Sequence, residues 1–194
     1  MARIIIVDEG VHLADRRELR RIVFRRKHIR WDVVLGKAEG DGYGHWWVVI
    51  DQDESYGWWP AQMLHGIPAT IIGVPGVLNA NSTDWANAKA KQALDGSQDP
   101  HHYDDTRLEE FHPVVDDNRS ADEVIEEIRK FVSTYPKTRW AFPALAQDAA
   151  NCHTFQVEML THCRLETGTV RVIDDNGKLV RARPPRKAAR PDDS

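Results

Sequence analysis

The sequence predicts an α+β domain with a central antiparallel sheet and a helix packed on it. Three observations carry that prediction. The β-rich runs 45–50 and 54–59 are joined by Asp51-Gln52-Asp53, a hairpin signal. Ser120-Ala121-Asp122-Glu123 is a capping box, and Val124, Ile125, Ile128, Phe131 and Val132 follow it at helical spacing. A third segment, 151–163, opens on Asn151 and places Cys152, Phe155, Met159, Leu160 and Cys163 on one helical stripe.

The remaining elements follow in chain order. Residues 3–7 read as a short buried strand. The charged segment 13–26, with Leu13, Leu19, Ile22 and Val23 at roughly helical spacing, reads as a surface helix. Its arginines form either a solvated face or a docking patch for an acidic partner. Residues 29–35 read as a strand. The glycine-rich stretch 36–44 is a connection, because it has neither phosphate-loop nor dinucleotide spacing. Short strands are expected at 69–73 and 77–78, broken at Val74-Pro75-Gly76, and a helix at 83–94. Residues 99–105 are polar and irregular. Residues 111–115 suit an edge strand, since Pro113 is tolerated only at an edge or bulge. The helix after Ser120 ends before Pro136. A strand at 139–142 and a hairpin of 170–173 with 178–183, turning at Asp174-Asp175-Asn176-Gly177, complete the reading. Residues 1–183 make one domain, and 184–194, rich in proline and charge, a disordered tail.

The chain has 194 residues, enough for one core without metal or disulfide support. Net charge is −4, which lacks the basic excess of a nucleic-acid binder. No stretch approaches the ~20 apolar residues that span a bilayer, so no membrane insertion is expected. The first residues lack a signal-peptide pattern, so synthesis is expected in the cytoplasm, with any export by another route. On one helix, Cys152 and Cys163 stand roughly 16 Å apart, too far to pair with each other. No cofactor is expected.

Cys152 follows a favoured N-cap residue. A thiol there meets unpaired backbone N–H groups and the positive end of the helix dipole, which favour the thiolate. The alternative is a buried structural cysteine, which also suits Cys163. His45 enters a strand whose faces, His45-Trp47-Val49 and Trp46-Val48-Ile50, are both apolar, as in a central strand. It is either a base for the thiol or a core histidine bonded to backbone. Trp46, Trp58, Trp59 and Tyr56 either pack the core or wall a substrate groove. The run Asp99-Pro100-His101-His102-Tyr103-Asp104-Asp105, with His112, matches no zinc-site spacing and reads as a polar loop.

Two segments carry a resemblance. Gly44-His45-Trp46 with its hairpin, and Asn151-Cys152-His153-Thr154-Phe155, resemble the permuted members of the NlpC-type, papain-like cysteine peptidase superfamily. In these the histidine strand precedes the nucleophile helix, an order shared by the lecithin:retinol acyltransferase and PPPDE isopeptidase branches. The resemblance implies a permuted papain-like fold and a Cys152–His45 hydrolase or acyl transferase working through an acyl-enzyme. It also implies an oxyanion held by the Cys152 backbone N–H. By the same resemblance the substrate is a peptide, best the peptide part of peptidoglycan. The protein would then be an antibacterial effector carried by a contractile (type VI) secretion machine, with an immunity or carrier protein as partner. An intracellular isopeptidase or acyltransferase is the alternative within the fold; a binding module with an inert Cys152 is the alternative outside it. The family's third residue, which orients the imidazole, would fall about a dozen positions after His45, near Gly57, and glycine cannot serve. Glu54 is the expected substitute, Gln62 the second choice, and a simple dyad the remaining option.

Overall fold

The structure is a computed structural model that describes residues 16–28, 44–61, 73–80, 96–141 and 148–184. The strands are β1 (Arg17–Glu18), β2 (Ile22–His28), β3 (Gly44–Ile50), β4 (Glu54–Pro60), β5 (Val74–Leu78), β6 (Leu108–Phe111), β7 (Val114–Val115), β8 (Arg139–Trp140), β9 (Ala149–Ala150), β10 (Val170–Ile173) and β11 (Leu179–Arg183). The helices are α1 (Ala121–Ser133), between β7 and β8, and α2 (Cys152–His162), between β9 and β10. Among the described residues nine strands form one sheet in the order β11-β10-β6-β2-β3-β4-β5-β8-β9, and β1 pairs separately with β7. All neighbours are antiparallel except β8 and β9. The α+β class and the antiparallel sheet are as expected.

Strand β3 is central because both of its faces are apolar: residues 47 to 50 are all buried. The Trp46-Val48-Ile50 face looks toward the helices. Val48, Ile50, Ile22, Phe24 and Phe111 meet Phe155 and Met159 of α2 and Val124, Ile125, Ile128 and Phe131 of α1 in one core. Each such side chain contributes about 1.5–3 kcal/mol on full burial. Helix α1 begins as read: Ser120 accepts from the Glu123 N–H, and the Glu123 carboxylate accepts from the Ser120 N–H.

Three expectations are corrected. Residues 17–18 and 22–28 are strands, not part of a helix over 13–26. Ile22 and Phe24 alternate into the core, and two of the basic residues, Arg25 and Arg26, face acidic cross-strand partners. Arg25 lies opposite Glu110 and Arg26 opposite Glu109, and each forms an ion pair with that partner. Residues 74–76 do not break a strand but belong to β5. Gly76 is required there, since a Cβ would lie 2.3 Å from the Trp58 ring. Residues 111–115 are not one edge strand: β6 sits between β10 and β2, and Pro113 occupies the bend between β6 and β7. The strands expected at 3–7 and 29–35, most of that at 69–73, the helix at 83–94, the loop 36–43 and the tail from 185 lie outside the described residues.

Candidate active site

The β3–β4 hairpin runs in register from Ile50↔Glu54 to Trp47↔Gly57. On its other side β3 stays paired with β2 as far as Gly44. At His45 and Trp46, therefore, one flank of β3 is sheet, and on the other the start of α2 packs in. The Trp46 backbone N–H donates to the Cys152 sulfur. One turn later Gln156 Nε2 donates to the Trp47 carbonyl at 3.0 Å. Asn151 holds the helix start: its Oδ1 accepts from the Thr154 N–H at 2.9 Å, and Thr154 Oγ1 accepts from the Asn151 N–H at 2.8 Å. That occupies Asn151 as a cap.

His45 is buried on the opposite face of β3. Its ring lies 3.9 Å, centroid to centroid, from Trp59 and stacks on Trp47 at 5.6 Å. Its Nε2 is 2.8 Å from Oδ2 of Asp99, a residue with no exposed surface. Asp99 also accepts from Trp59 Nε1 at 2.7 Å and from the His101 N–H at 2.8 Å. Burial acts to raise the Asp99 pKa. The charge and hydrogen bond of His45, the charge of His101 and the Trp59 N–H outweigh it and hold the carboxyl below its usual range. An ionised carboxylate only accepts, so the His45–Asp99 bond is donated by Nε2–H, which leaves Nδ1 as the lone-pair nitrogen whenever the ring is neutral.

Asp99 comes from the irregular segment 96–107 that leads into β6, not from a strand. Its backbone N–H donates to Ser55 Oγ at 2.8 Å, and His102 in the same loop bonds the Gln52 carbonyl. Asn79, buried with φ of 53°, accepts from the Gly57 N–H and donates to the Ser55 and Gly96 carbonyls, tying β4 to this loop. The close approach depends on Gly57. A Cβ there would stand 2.0 Å from Asp99 Oδ2 and 3.0 Å from His45 Nε2. The position that resemblance marks for the orienting residue is thus a glycine-sized space filled by a carboxylate from elsewhere.

Cys152 is the first residue of α2 and keeps part of its surface exposed. Desolvation of the sulfur is the strongest influence on its pKa. The Trp46 N–H lowers it, the Asp99 charge raises it, and the thiol is pushed up to about 11. The expectation that the helix start favours thiolate is corrected: burial wins, and the resting group is a thiol. Cys163 caps the other end of α2, fully buried, its thiol pushed up to about 12 mainly by desolvation.

Glu54 is not brought to His45. It pairs with Ile50 at the turn end of the hairpin, where Arg129 binds it at 2.6 Å and the Tyr56 hydroxyl donates to it. Five strand positions separate the two residues. Gln62 lies outside the described residues. Of the four aromatic side chains expected at a substrate groove, three are placed elsewhere. Trp58 is core, against Tyr135 and Phe155. Trp59 is buried and holds Asp99, and Tyr56 is held by Glu54 at the far end. Trp46 alone of the four lines a cleft, with its ring 4.7 Å from that of His153. Among the described residues no cluster of three or more metal-ligating side chains occurs.

Comparison of the chain with protein-family models, curated proteins and solved structures finds no match. Sequence reading missed Asp99. Two signals pointed toward it: the glycine at the position expected to supply the third residue, and the Asp-Pro turn signal opening a loop between strands.

Proposed function

We propose that the chain is a cysteine hydrolase with Cys152 as nucleophile, His45 as base and Asp99 as the residue that orients and supports the imidazole. One observation carries this reading: a buried His45–Asp99 pair beside a helix-start cysteine whose sulfur takes the N–H of the residue after His45. A buried ion-forming pair is expensive to maintain, which favours a chemical task over a structural one. The antiparallel sheet, with the histidine strand before the nucleophile helix, supports a permuted papain-like arrangement.

The chemistry follows from the protonation states. His45 Nδ1 takes the Cys152 proton, and Asp99 stabilises the imidazolium that forms. The thiolate adds to a substrate carbonyl, forming a C–S bond while the carbonyl electron pair moves to oxygen. Backbone N–H groups at the start of α2, that of Cys152 first, hold the oxyanion. The oxyanion collapses, the C–N bond breaks, and the amine leaves with the proton from His45. Water, activated by His45, then hydrolyses the thioester. A thiol that rests neutral avoids carrying a buried anion between turnovers.

The substrate proposed is a peptide amide, with peptidoglycan peptides and an exported antibacterial role as the reading that resemblance favours. Digestion of purified sacculi by the wild type, by Cys152→Ala and by His45→Ala tests it, with released fragments read by mass spectrometry. New amine termini with the wild type only are expected. Identical fragment patterns from all three would sink the peptidoglycan reading.

A further inference from the structure

Segment 96–107 crosses the face of the sheet that carries His45. Directly opposed residues of antiparallel strands share a face. On β2, Lys27 lies opposite His45 and Arg25 opposite Trp47. On β4, Gly57 lies opposite Trp47 and Ser55 opposite Val49. These residues therefore stand on one face of three adjacent strands. The segment is fastened on both sides of β3. On the β4 side the Asp99 N–H donates to Ser55 Oγ at 2.8 Å. On the β2 side Lys27 Nζ donates to the Asp104 carboxylate, and Arg25 Nη1 donates to the His102 and Asp104 carbonyls, each at 3.3 Å. His101 sits between the fastenings. Its ring centroid is 5.3 Å from that of His45, 5.7 Å from Trp47 and 5.6 Å from Trp59.

We propose that Lys27, Asp104 and His101 are positioning residues: they hold segment 96–107 across β3 so that Asp99 meets His45 in one fixed geometry. The proposal rests on the cysteine-hydrolase reading and adds to it the residues that set the imidazole's orientation.

The bonds form a closed circuit. The His101 N–H donates to Asp99 Oδ1 at 2.8 Å, and His101 Nδ1 lies 2.8 Å from Asp104 Oδ2. Burial acts to raise the Asp104 pKa, but the hydrogen bonds and charges of His101 and Lys27 outweigh it and hold the carboxyl at about 2. Asp104 therefore only accepts, and Nδ1–H of His101 donates to it. The path runs Lys27, Asp104, His101, Asp99, His45, and its first and last residues are cross-strand neighbours. Slack at Lys27 thus reaches Asp99 through the chain of bonds.

Such a circuit matters because Asp99 stands on irregular backbone, with no ladder to fix it. A reacting constellation works only when held within about 0.5 Å of its productive geometry by supporting bonds. Stability alone accounts poorly for the circuit. The side chains of Lys27, Asp104 and His101 are each close to one-third exposed, and pairs of that kind stabilise a fold modestly.

The test reads the two ring nitrogens of His45 by long-range proton–nitrogen NMR of the labelled full chain, at a pH where the ring is neutral, with His45→Gln assigning the signals. The wild type is expected to show the Nε2–H tautomer alone. Lys27→Met and His101→Ala should show a mixture of tautomers with unchanged far-UV circular dichroism. Lys27→Arg, and His101→Asn with Nδ2 in place of Nδ1, should restore the single tautomer. On sacculi the maximal rate of amine release should fall roughly tenfold or more in Lys27→Met at unchanged half-saturation. An unmixed tautomer in both Lys27→Met and His101→Ala, a wild type already mixed, or a rate that ignores the mixing overturns the proposal. Mixing as stated, in a chain whose wild type hydrolyses no amide, keeps the positioning and removes the catalytic reading.

Discussion

The two ends of the β3–β4 hairpin place charge in opposite ways. At the turn end, charged groups reach solvent: Arg21 pairs with Asp51 and Asp122, and Arg129 with Glu54 and Glu126, all between partly exposed side chains. At the other end, His45 and Asp99 pair with one-tenth of the imidazole exposed and none of the carboxylate. The turn end thus carries exposed, screened pairs, and the other end a buried pair in which β3 supplies the histidine and a distant segment the carboxylate. Exposed pairs are screened and contribute little; a buried pair leaves a stranded charge if one partner is removed. Charge alone therefore does not mark the candidate site on the hairpin; burial with a specific partner does.

The largest expected effect is at Asp99. Asp99→Ala leaves His45 Nε2 and Trp59 Nε1 buried without their acceptor. It should lower stability by ~3–5 kcal/mol in urea denaturation and activity by ~10²–10⁴-fold. A stable variant with full activity would remove the pair from the mechanism. Next comes Gly57→Ala, whose methyl group must displace the Asp99 carboxylate. A loss of at least ~100-fold in kcat with ~1–3 kcal/mol of destabilisation is expected. Gly76→Ala strikes the Trp58 ring instead. It should match that destabilisation while sparing more activity, and equal losses of activity in both variants would mean that only packing was disturbed.

Acid titration separates the ends further. Asp104 is bound by His101 and Lys27. Burial raises its pKa, but the His101 and Lys27 hydrogen bonds and charges prevail and hold it at about 2. A depressed folded-state value means the unfolded chain binds more protons. The contribution is complete above the ordinary aspartate pKa of about 3.9 and is lost as pH falls toward about 2. Unfolding free energy measured from pH 6 to 2 should fall less steeply in Asp104→Asn than in wild type; identical slopes would contradict the pairing. The smallest effect belongs to Glu54→Ala: about 1 kcal/mol or less, with unchanged kcat/KM. A large activity loss there would return Glu54 to the site.

Local pattern made some of this legible and hid the rest. The capping box of α1, the Asn151 cap of α2 and the β3–β4 hairpin are short-range signals, and each appears where sequence placed it. The order of histidine strand and cysteine helix was also readable. Strand β2 was not, because Arg25 and Arg26 answer Glu110 and Glu109, which lie 85 and 83 positions away in the chain. Nor was Asp99, which meets His45 across 54 positions from a segment, 96–107, with no hydrophobic periodicity. The thiol's raised pKa was hidden too, since a helix-start argument counts dipole and N–H groups but not the depth of the sulfur.

The bond from Gln156 to Trp47 joins residues 109 positions apart and fixes α2, which carries Cys152, to β3, which carries His45. Closing so long a loop is slow and entropically unfavourable until both ends are structured. A nascent chain therefore holds its imidazole long before it holds its sulfur. On the proposed mechanism, activity would switch on only when α2 has docked, and a chain lacking that helix would be chemically silent.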